Sequence, residues 1–370
     1  MIVDTCYEAF LASHYGATPG LANASYEHQH RALLDRSFGT TDAYSRNLRE
    51  LGHEAMELIS NCRPMQVKWA EEHSLALPIS SKLAPARLFW GTLRRILDAQ
   101  IEELDPDVVY VQNVMDVERL RPRALEGRGR YLVAQVGSQL SSLEVLRRYD
   151  LVTTLVPPLV SRLLALDMDA EYLGAAFDEA VLSRLHTGGV TAAPDAGRRH
   201  EVSFVGSIHS DRVHRGGVQL LERLSTDVDL ELWGPIDAKL PRSSPIRTRH
   251  RGQAWGMDMY RVLAQSRIAV NRHGDFAGGY AANMRMFEAT GVGALLMTES
   301  ATNLPDFFEP GREVVPYDSV DDLVDKIRHF LAHEEERRRI AAEGQRRTLT
   351  EHTYGRRIRQ LAGMLESRLA

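Results

Sequence analysis

Short apolar runs alternate with longer stretches of helical period along most of the chain. In the first half the runs 1–5, 55–60, 108–112, 131–136, 151–155 and 171–173 read as strands, and 42–51 and 86–103 as helices between them. A second series places strands at 201–205, 230–233, 246–249, 268–271, 294–297 and 313–316. Helices are expected at 217–225, 257–265, 284–290 and 320–333, and the charged stretch 334–370 reads as one or two surface helices. Strand and helix in alternation are the mark of parallel sheets.

The fold expected is α/β, with two Rossmann-like doubly wound parallel-sheet domains facing across a cleft at the carboxyl ends of their strands. The expected division is 1–180, a linker at 181–199, 200–350, and a C-terminal helix at 351–370 packing back on the first domain. The linker falls on "HTGGVTAAPDAGRRH", which is Gly- and Ala-rich and has no period. Residues 8–41 interrupt the first strand–helix unit with a long segment rich in Tyr, His and Gly. A connection of that length either serves a function or contains small helices of its own.

Composition narrows the class. With 370 residues, 44% hydrophobic and 26% charged, the chain is long enough for two cores. Its net charge of −5 offers no basic field for nucleic acid or anionic membrane. Only Lys68, Lys82, Lys239 and Lys326 are lysines, so the basic residues are mostly Arg, the better bidentate partner for phosphate. Cys6 and Cys62 form neither a metal spacing nor a disulfide framework. The N-terminus lacks a basic leader and no run reaches the roughly 18 apolar residues of a membrane span, so a cytoplasmic location is expected.

Candidate chemistry concentrates in the second series. "VSFVGSIHSDRVHR" sets Gly206 and Ser207 at a strand-to-helix turn, where backbone N–H groups can meet an anion, with Arg212 and Arg215 beyond. A plain tight turn is the competing reading. "IAVNRHGDFAGGYAANMRMFEATGVGALL" ends a strand at Asn271 and continues through Arg272 and His273 into a Gly-rich loop. It then opens a helix, with Asn283 as expected N-cap, bearing Arg285 and Glu288. Arg285 and Glu288 are one turn apart and suit an ion pair. A carboxylate there, ahead of Gly291 and Gly293, also suits the two hydroxyls of a ribose.

Other positions are weaker. Trp233, before Gly234, could stack under a base but reads better as core, and "QAWGM" (253–257) lies where bases are often read. His14, His28 and His30 are general-base candidates that solvation explains as well. "AQVGSQLSS" closes a strand. "PARLFWGTLRRILDAQIEEL" is amphipathic and suits packing on a sheet better than a membrane surface.

The succession "SFVGS", "LWG", "IAVNRH", "NMRMFEATGVGALLMTE", "EVVPYDSVDDLVDKIRHFL" and "EHTYGRRI" resembles the C-terminal half of group-1 glycosyltransferases of the GT-B fold. The resemblance is nearest to the bacterial CgeB-like (spore-maturation-protein-like) branch. It covers about residues 200–360, and "YSRNLRELGHEA" fits the N-terminal domain more loosely. It implies that the second domain binds a nucleoside-diphosphate sugar and the first an acceptor. Glu288 would then hold the ribose, Gly206 and Arg212 would lie near the diphosphate, and Ser207, Gly234, Ala282 and Asn283 would complete the donor site.

The resemblance implies no metal and no cofactor. One departure is Tyr280, which stands where many retaining members carry a second glutamate, so the stereochemical outcome is left open.

The expected activity is hexosyl transfer from a UDP-sugar, ahead of dTDP- or GDP-sugars, to a small molecule, glycan or protein. His273, Arg212 and Arg285 are the catalytic candidates, with the arginines and Arg272 stabilising the leaving diphosphate. The alternatives are a nucleotide-sugar epimerase using Asp275, Glu288 and His273, and an inactive GT-B protein that binds a nucleotide or partner. A pyridoxal-phosphate phosphorylase lacks a suitable lysine.

Overall fold

The computed structural model describes residues 1–77, 86–126, 129–193, 199–208 and 215–369. They form two compact units, which divide between Leu173 and Gly174.

The strands of the first unit are β1 (Ile2–Asp4), β2 (Glu57–Ile59), β3 (Val108–Val111), β4 (Tyr131–Val136), β5 (Leu151–Thr154) and β6 (Ala170–Tyr172). They pair in parallel in the order β2-β1-β3-β4-β5-β6. Its helices are α1 (Glu8–Ala17), α2 (Tyr26–Leu34), α3 (Ala43–Glu50), α4 (Arg63–Glu72), α5 (Ala86–Leu104), α6 (Val114–Leu120) and α7 (Pro157–Leu164).

One face of this sheet buries Val3, Val109, Val111, Ala134 and Val152 in a cluster with Leu93, Leu97 and Ile101 of α5 and Val117 and Leu120 of α6. The amphipathic α5 therefore spends its apolar stripe on the sheet. Helix α3 is closed off just past its end, where the N–H groups of Gly52 and His53 bond back to the Arg49 and Leu48 carbonyls.

Residues 8–41 contain small helices of their own, one of the two expectations for a connection of that length. Helix α2 starts at Ser25, whose hydroxyl accepts the His28 N–H at 3.3 Å. The period was hidden because the buried faces of α1 and α2 include the polar His14 and Gln29 beside Phe10 and Leu33. His14, His28 and His30 therefore sit on helices, with His14 buried.

The second unit contains α8 (Ala180–Thr187), β7 (His200–Val205), α9 (Arg215–Asp227), β8 (Leu230–Trp233), α10 (Pro245–Arg249) and α11 (Met257–Ala264). These are followed by β9 (Ser266–Asn271), α12 (Arg285–Gly291), β10 (Leu295–Glu299), β11 (Val315–Tyr317), α13 (Val320–Ala332), α14 (Glu334–Glu351) and α15 (Tyr354–Leu369). The strands pair in parallel as β11-β10-β9-β7-β8.

The strand expected at 246–249 is instead α10. Pro245 opens it, its fixed φ suiting the first helical position, and Ile246 is its buried apolar residue. The expected linker 181–199 also changes: α8 fills its first part, and 194–198 lie outside the described residues. Segment 174–199 and both C-terminal helices count with the second unit. The C-terminal helices are two, and neither is merely superficial. Helix α14 buries Ile340, Ala341 and Thr348, and α15 buries Tyr354, Ile358 and Leu361.

Candidate functional site

In the second sheet the chain goes from β7 out to β8 and returns to β9 on the other side of β7. The strand order reverses there, and the carboxyl ends of β7 and β9 splay their connections apart, which is where an open parallel sheet takes a ligand. Gly206 and Ser207 leave β7 at this point, and Arg272 and His273 leave β9.

The ends of β7 and β8 are locked together. The Gly206 N–H donates to the Trp233 carbonyl at 2.9 Å, and the Gly234 N–H to the Gly252 carbonyl at 2.9 Å. Gly234 has φ +131°, and a Cβ there would stand 2.1 Å from the Gly206 carbonyl oxygen. Only glycine permits that approach. His250 Nε2 lies 2.8 Å from the Gly234 carbonyl oxygen. Trp233 is buried with its ring edge-on to His200 at 4.9 Å, which makes it core. The "QAWGM" loop is closed on itself, as Trp255 Nε1 donates to Gln253 at 2.8 Å.

At the end of β9 a buried polar group is assembled from distant segments. Asn271 Nδ2 donates to the Thr298 hydroxyl at 2.9 Å, and the same hydroxyl lies 3.2 Å from His273 Nε2. Tyr317 donates to the Asn271 carbonyl at 2.8 Å, and the His273 N–H to Glu299 at 3.2 Å. Burial pulls the His273 pKa down to about 4, the Arg272 charge adding to the effect against the pull of the Glu299 bond. The imidazole is therefore neutral near pH 7, and its Nδ1 has no partner among the described residues.

Asn283 belongs to this group and does not cap α12. The residue preceding α12 is Met284, with no side-chain cap. Asn283 Nδ2 instead reaches Asn271 Oδ1 at 3.0 Å and the Arg272 carbonyl at 2.9 Å, and its Oδ1 is buried without a partner. Ala282, one residue earlier, is buried, and the loop is pinned where Asn303 accepts the Ala281 N–H at 2.7 Å.

Helix α12 carries the ion pair that its spacing suggested. Arg285 reaches Glu288 at 2.6 Å and donates through Nε to the Val205 carbonyl at 3.1 Å, beside Gly206. Glu288 is 5% exposed, and its other oxygen accepts from Tyr260 of α11 at 3.4 Å. Burial, with the Glu288 charge second, keeps the Tyr260 phenol well above its ordinary pKa, so it stays a donor. Both carboxylate oxygens have a protein partner, and each retains lone-pair capacity for a further donor. The first glycine of the Gly-x-Gly makes room for a ring: a Cβ on Gly291 would lie 2.5 Å from the Phe177 side chain.

Arg272 pairs with Asp275, and its guanidinium lies against the start of α9, where a Cβ on Gly216 would be 3.1 Å from it. A cation and the positive end of a 13-residue helix thus occur together beside the β7–β9 reversal. Arg212 lies outside the described residues. Apart from it, the structure brings the candidates of the second series to one end of one sheet. Tyr260, Thr298 and Glu299 join them without having been singled out. Thr298 and Glu299 end the apolar run of β10, a signal that was present, whereas nothing near Tyr260 in sequence points to Glu288. Among the described residues no three His, Cys, Asp or Glu side chains converge as for a metal ion, and no helix is long and apolar enough to cross a membrane.

Residues 213–363 match the sequence model of a family described as glycosyl transferase-like. No curated protein matches the chain. The structure is similar to that of a glycosyltransferase from Rickettsia africae ESF-5, at 11% identity over 100% of this chain and 98% of that one, TM-score 0.57. It is similar also to Anabaena Alr3699/HepE in complex with UDP-glucose, at 14% identity over 99% of each chain, TM-score 0.57. A third likeness is to sucrose-phosphate synthase (tll1590) from Thermosynechococcus elongatus, at 12% identity over 80% of this chain and 81% of that one, TM-score 0.53. At such identities the likeness shows the fold, which is GT-B.

Proposed function

We propose that the protein is a glycosyltransferase that moves a sugar from a nucleoside-diphosphate sugar to an acceptor hydroxyl. The observation that carries this reading is the gathering of Gly206, Arg272, His273, Asn283, Arg285 and Glu288 at the strand-order reversal of the second sheet, with all but Gly206 inside the matched residues 213–363. A UDP-sugar is the favoured donor, since Alr3699/HepE of the same fold was solved with UDP-glucose. Membership of the CgeB-like branch, hexosyl transfer and a cytoplasmic location are parts of the same reading.

In this reading Glu288, held by Arg285 and Tyr260, accepts the ribose hydroxyls. Arg272 and the start of α9 face the diphosphate, whose charge grows as the glycosidic bond breaks, and fixed cations and dipoles stabilise that charge without reorganising. His273, being neutral, serves as a hydrogen-bonding group toward the sugar rather than as a cation. No metal is assigned a role.

Calorimetry with UDP, GDP and dTDP, followed by UDP release from UDP-glucose, tests the proposal. UDP binding with acceptor-dependent release supports it, and failure of all three nucleotides to bind refutes it. The buried Arg285–Glu288 pair also favours a second reading, a nucleotide-binding protein without turnover, which predicts binding and no release.

A further inference from the structure

The Glu288 carboxylate is gripped at both oxygens: Arg285 reaches one at 2.6 Å, and the Tyr260 hydroxyl donates to the other at 3.4 Å. The two grips do different things. The last torsion of a glutamate side chain is broad and roughly two-fold, so an ion pair through one oxygen leaves the carboxylate plane free to swing. A donor on the second oxygen fixes that plane, and with it the direction of the lone pairs left over for a ligand. Tyr260 suits the task because burial, and after it the Glu288 charge, hold its pKa well above the ordinary value, so the phenol stays protonated.

Tyr260 is itself held. Its ring stands edge-on to that of Phe177, with centroids 6.3 Å apart and planes at 77°. The Phe177 ring also fills the space beside Gly291, one turn beyond Glu288 on α12, where a Cβ would come within 2.5 Å of it. Glycine is a poor helix residue, and at 291 what it permits is the approach of this ring. One fully buried ring therefore meets both the helix that carries Glu288 and the tyrosine that orients it. The Phe177 backbone is pinned in turn. Its N–H donates to the His352 carbonyl at 2.8 Å, and its carbonyl accepts the Tyr354 N–H at 3.0 Å, around a parallel bridge to Thr353. All of these residues belong to the second unit.

We propose that Tyr260 and Phe177 are positioning residues for the nucleotide. Tyr260 sets the plane of the Glu288 carboxylate toward the ribose hydroxyls, and Phe177, clamped by residues 352–354, sets Tyr260 and α12 relative to each other. This rests on the reading above in which Glu288 meets the ribose.

Neither residue touches the ligand; both act through Glu288. A carboxylate already fixed in direction loses little torsional freedom when the ribose arrives, so removing the brace weakens binding without removing a ligand contact. The loss is confined to the ribose hydroxyls. A nucleotide that lacks them draws nothing from the brace, whereas a residue that merely holds the fold together would weaken both ligands alike.

The test is calorimetry of the full chain with UDP and with 2′,3′-dideoxy-UDP, which lacks both ribose hydroxyls. The wild type binds UDP more tightly than the analogue. Tyr260→Phe keeps the ring and loses only the hydroxyl; it weakens UDP by about fivefold, the worth of one modest hydrogen bond, and leaves the affinity for the analogue unchanged. Phe177→Leu acts in the same direction by about threefold, and it supplies the same comparison should Tyr260→Phe not fold. In a Glu288→Gln background Tyr260→Phe costs less than in the wild type, since the group it orients has changed. Equal losses for UDP and the analogue would make these ordinary packing residues and overturn the proposal, as would unchanged UDP affinity in either variant. A wild type that binds UDP and the analogue equally would instead take the ribose away from Glu288 and sink the reading on which this one stands.

Discussion

The guanidinium of Arg285 and the carboxylate of Glu288 meet at 2.6 Å, one turn apart on a helix that is buried nearly throughout. The pair ties α12 to the end of β7 through the Val205 carbonyl, so the carboxylate proposed to meet a ribose is also part of a structural anchor.

Removing that carboxylate should therefore show in two ways. Glu288→Ala leaves a largely buried guanidinium without its counter-charge and should cost about 3 kcal/mol in urea unfolding. Glu288→Gln keeps the shape and a carbonyl acceptor and should cost less than half as much. If Glu288 holds the ribose, both weaken UDP by at least about tenfold, roughly the worth of one hydrogen bond to a charged group. Unchanged UDP affinity in Glu288→Gln would remove the ribose from this residue.

Gly234→Ala should be among the most damaging single-methyl additions in the chain. The Cβ would overlap the Gly206 carbonyl at 2.1 Å, and φ +131° is hostile to any side chain. A loss above about 4 kcal/mol, or failure to fold, is expected. Gly363→Ala, on α15 with nothing within 4 Å, should instead stabilise by about 0.5–1 kcal/mol. Thermal melting of the two variants checks both signs.

Acid should destabilise the second unit earlier than carboxylate titration alone would. Burial lowers the pKa of His273 and of His352 to about 4, from an ordinary 6.5. A histidine depressed in the folded state binds its proton more readily when unfolded. Its contribution is therefore complete above pH 6.5 and is lost as pH falls from there toward about 4. The unfolding free energy from urea titration should fall across that window by up to about 1.4 kcal/mol per pH unit for each histidine. In His273→Gln part of that slope should vanish.

Arg337 is fully buried, with Glu334 at 2.9 and 2.7 Å and the Arg267 carbonyl at 3.1 Å. Arg337→Ala should cost about 3 kcal/mol, since it opens a cavity and strands the groups it satisfied. Arg312→Ala, which breaks the exposed pair with Glu309, should cost less than about 1 kcal/mol. Comparable losses in the two would contradict the burial argument.

How much of this was readable in advance follows from the range of the forces involved. The strands of both sheets were visible because a parallel strand buried on both faces must be a short apolar run. Helices such as α9, α11 and α13 were visible because their apolar stripe repeats at the helical period. Where the local pattern was diluted the reading failed. One isoleucine after a proline looked like a strand at 246–249; within 8–41 small helices were one of two expectations, but the buried His14 and Gln29 left no period from which to place them.

By itself, then, the sequence determined the α/β class, the two series of elements, and the stretch in which the polar candidates of the second unit cluster. Backbone hydrogen bonding and apolar burial act on every few residues and leave a periodic trace. The tertiary structure alone decided what each candidate touches: Asn283 bonded to β9 instead of capping α12, Glu288 shared between Arg285 and Tyr260, and His273 buried and neutral. Tyr260 reaches Glu288 across 28 residues and Asn271 reaches Thr298 across 27, through strand orders that no local window records. A buried polar group takes whichever partner the fold delivers, and that delivery is a property of the packed chain.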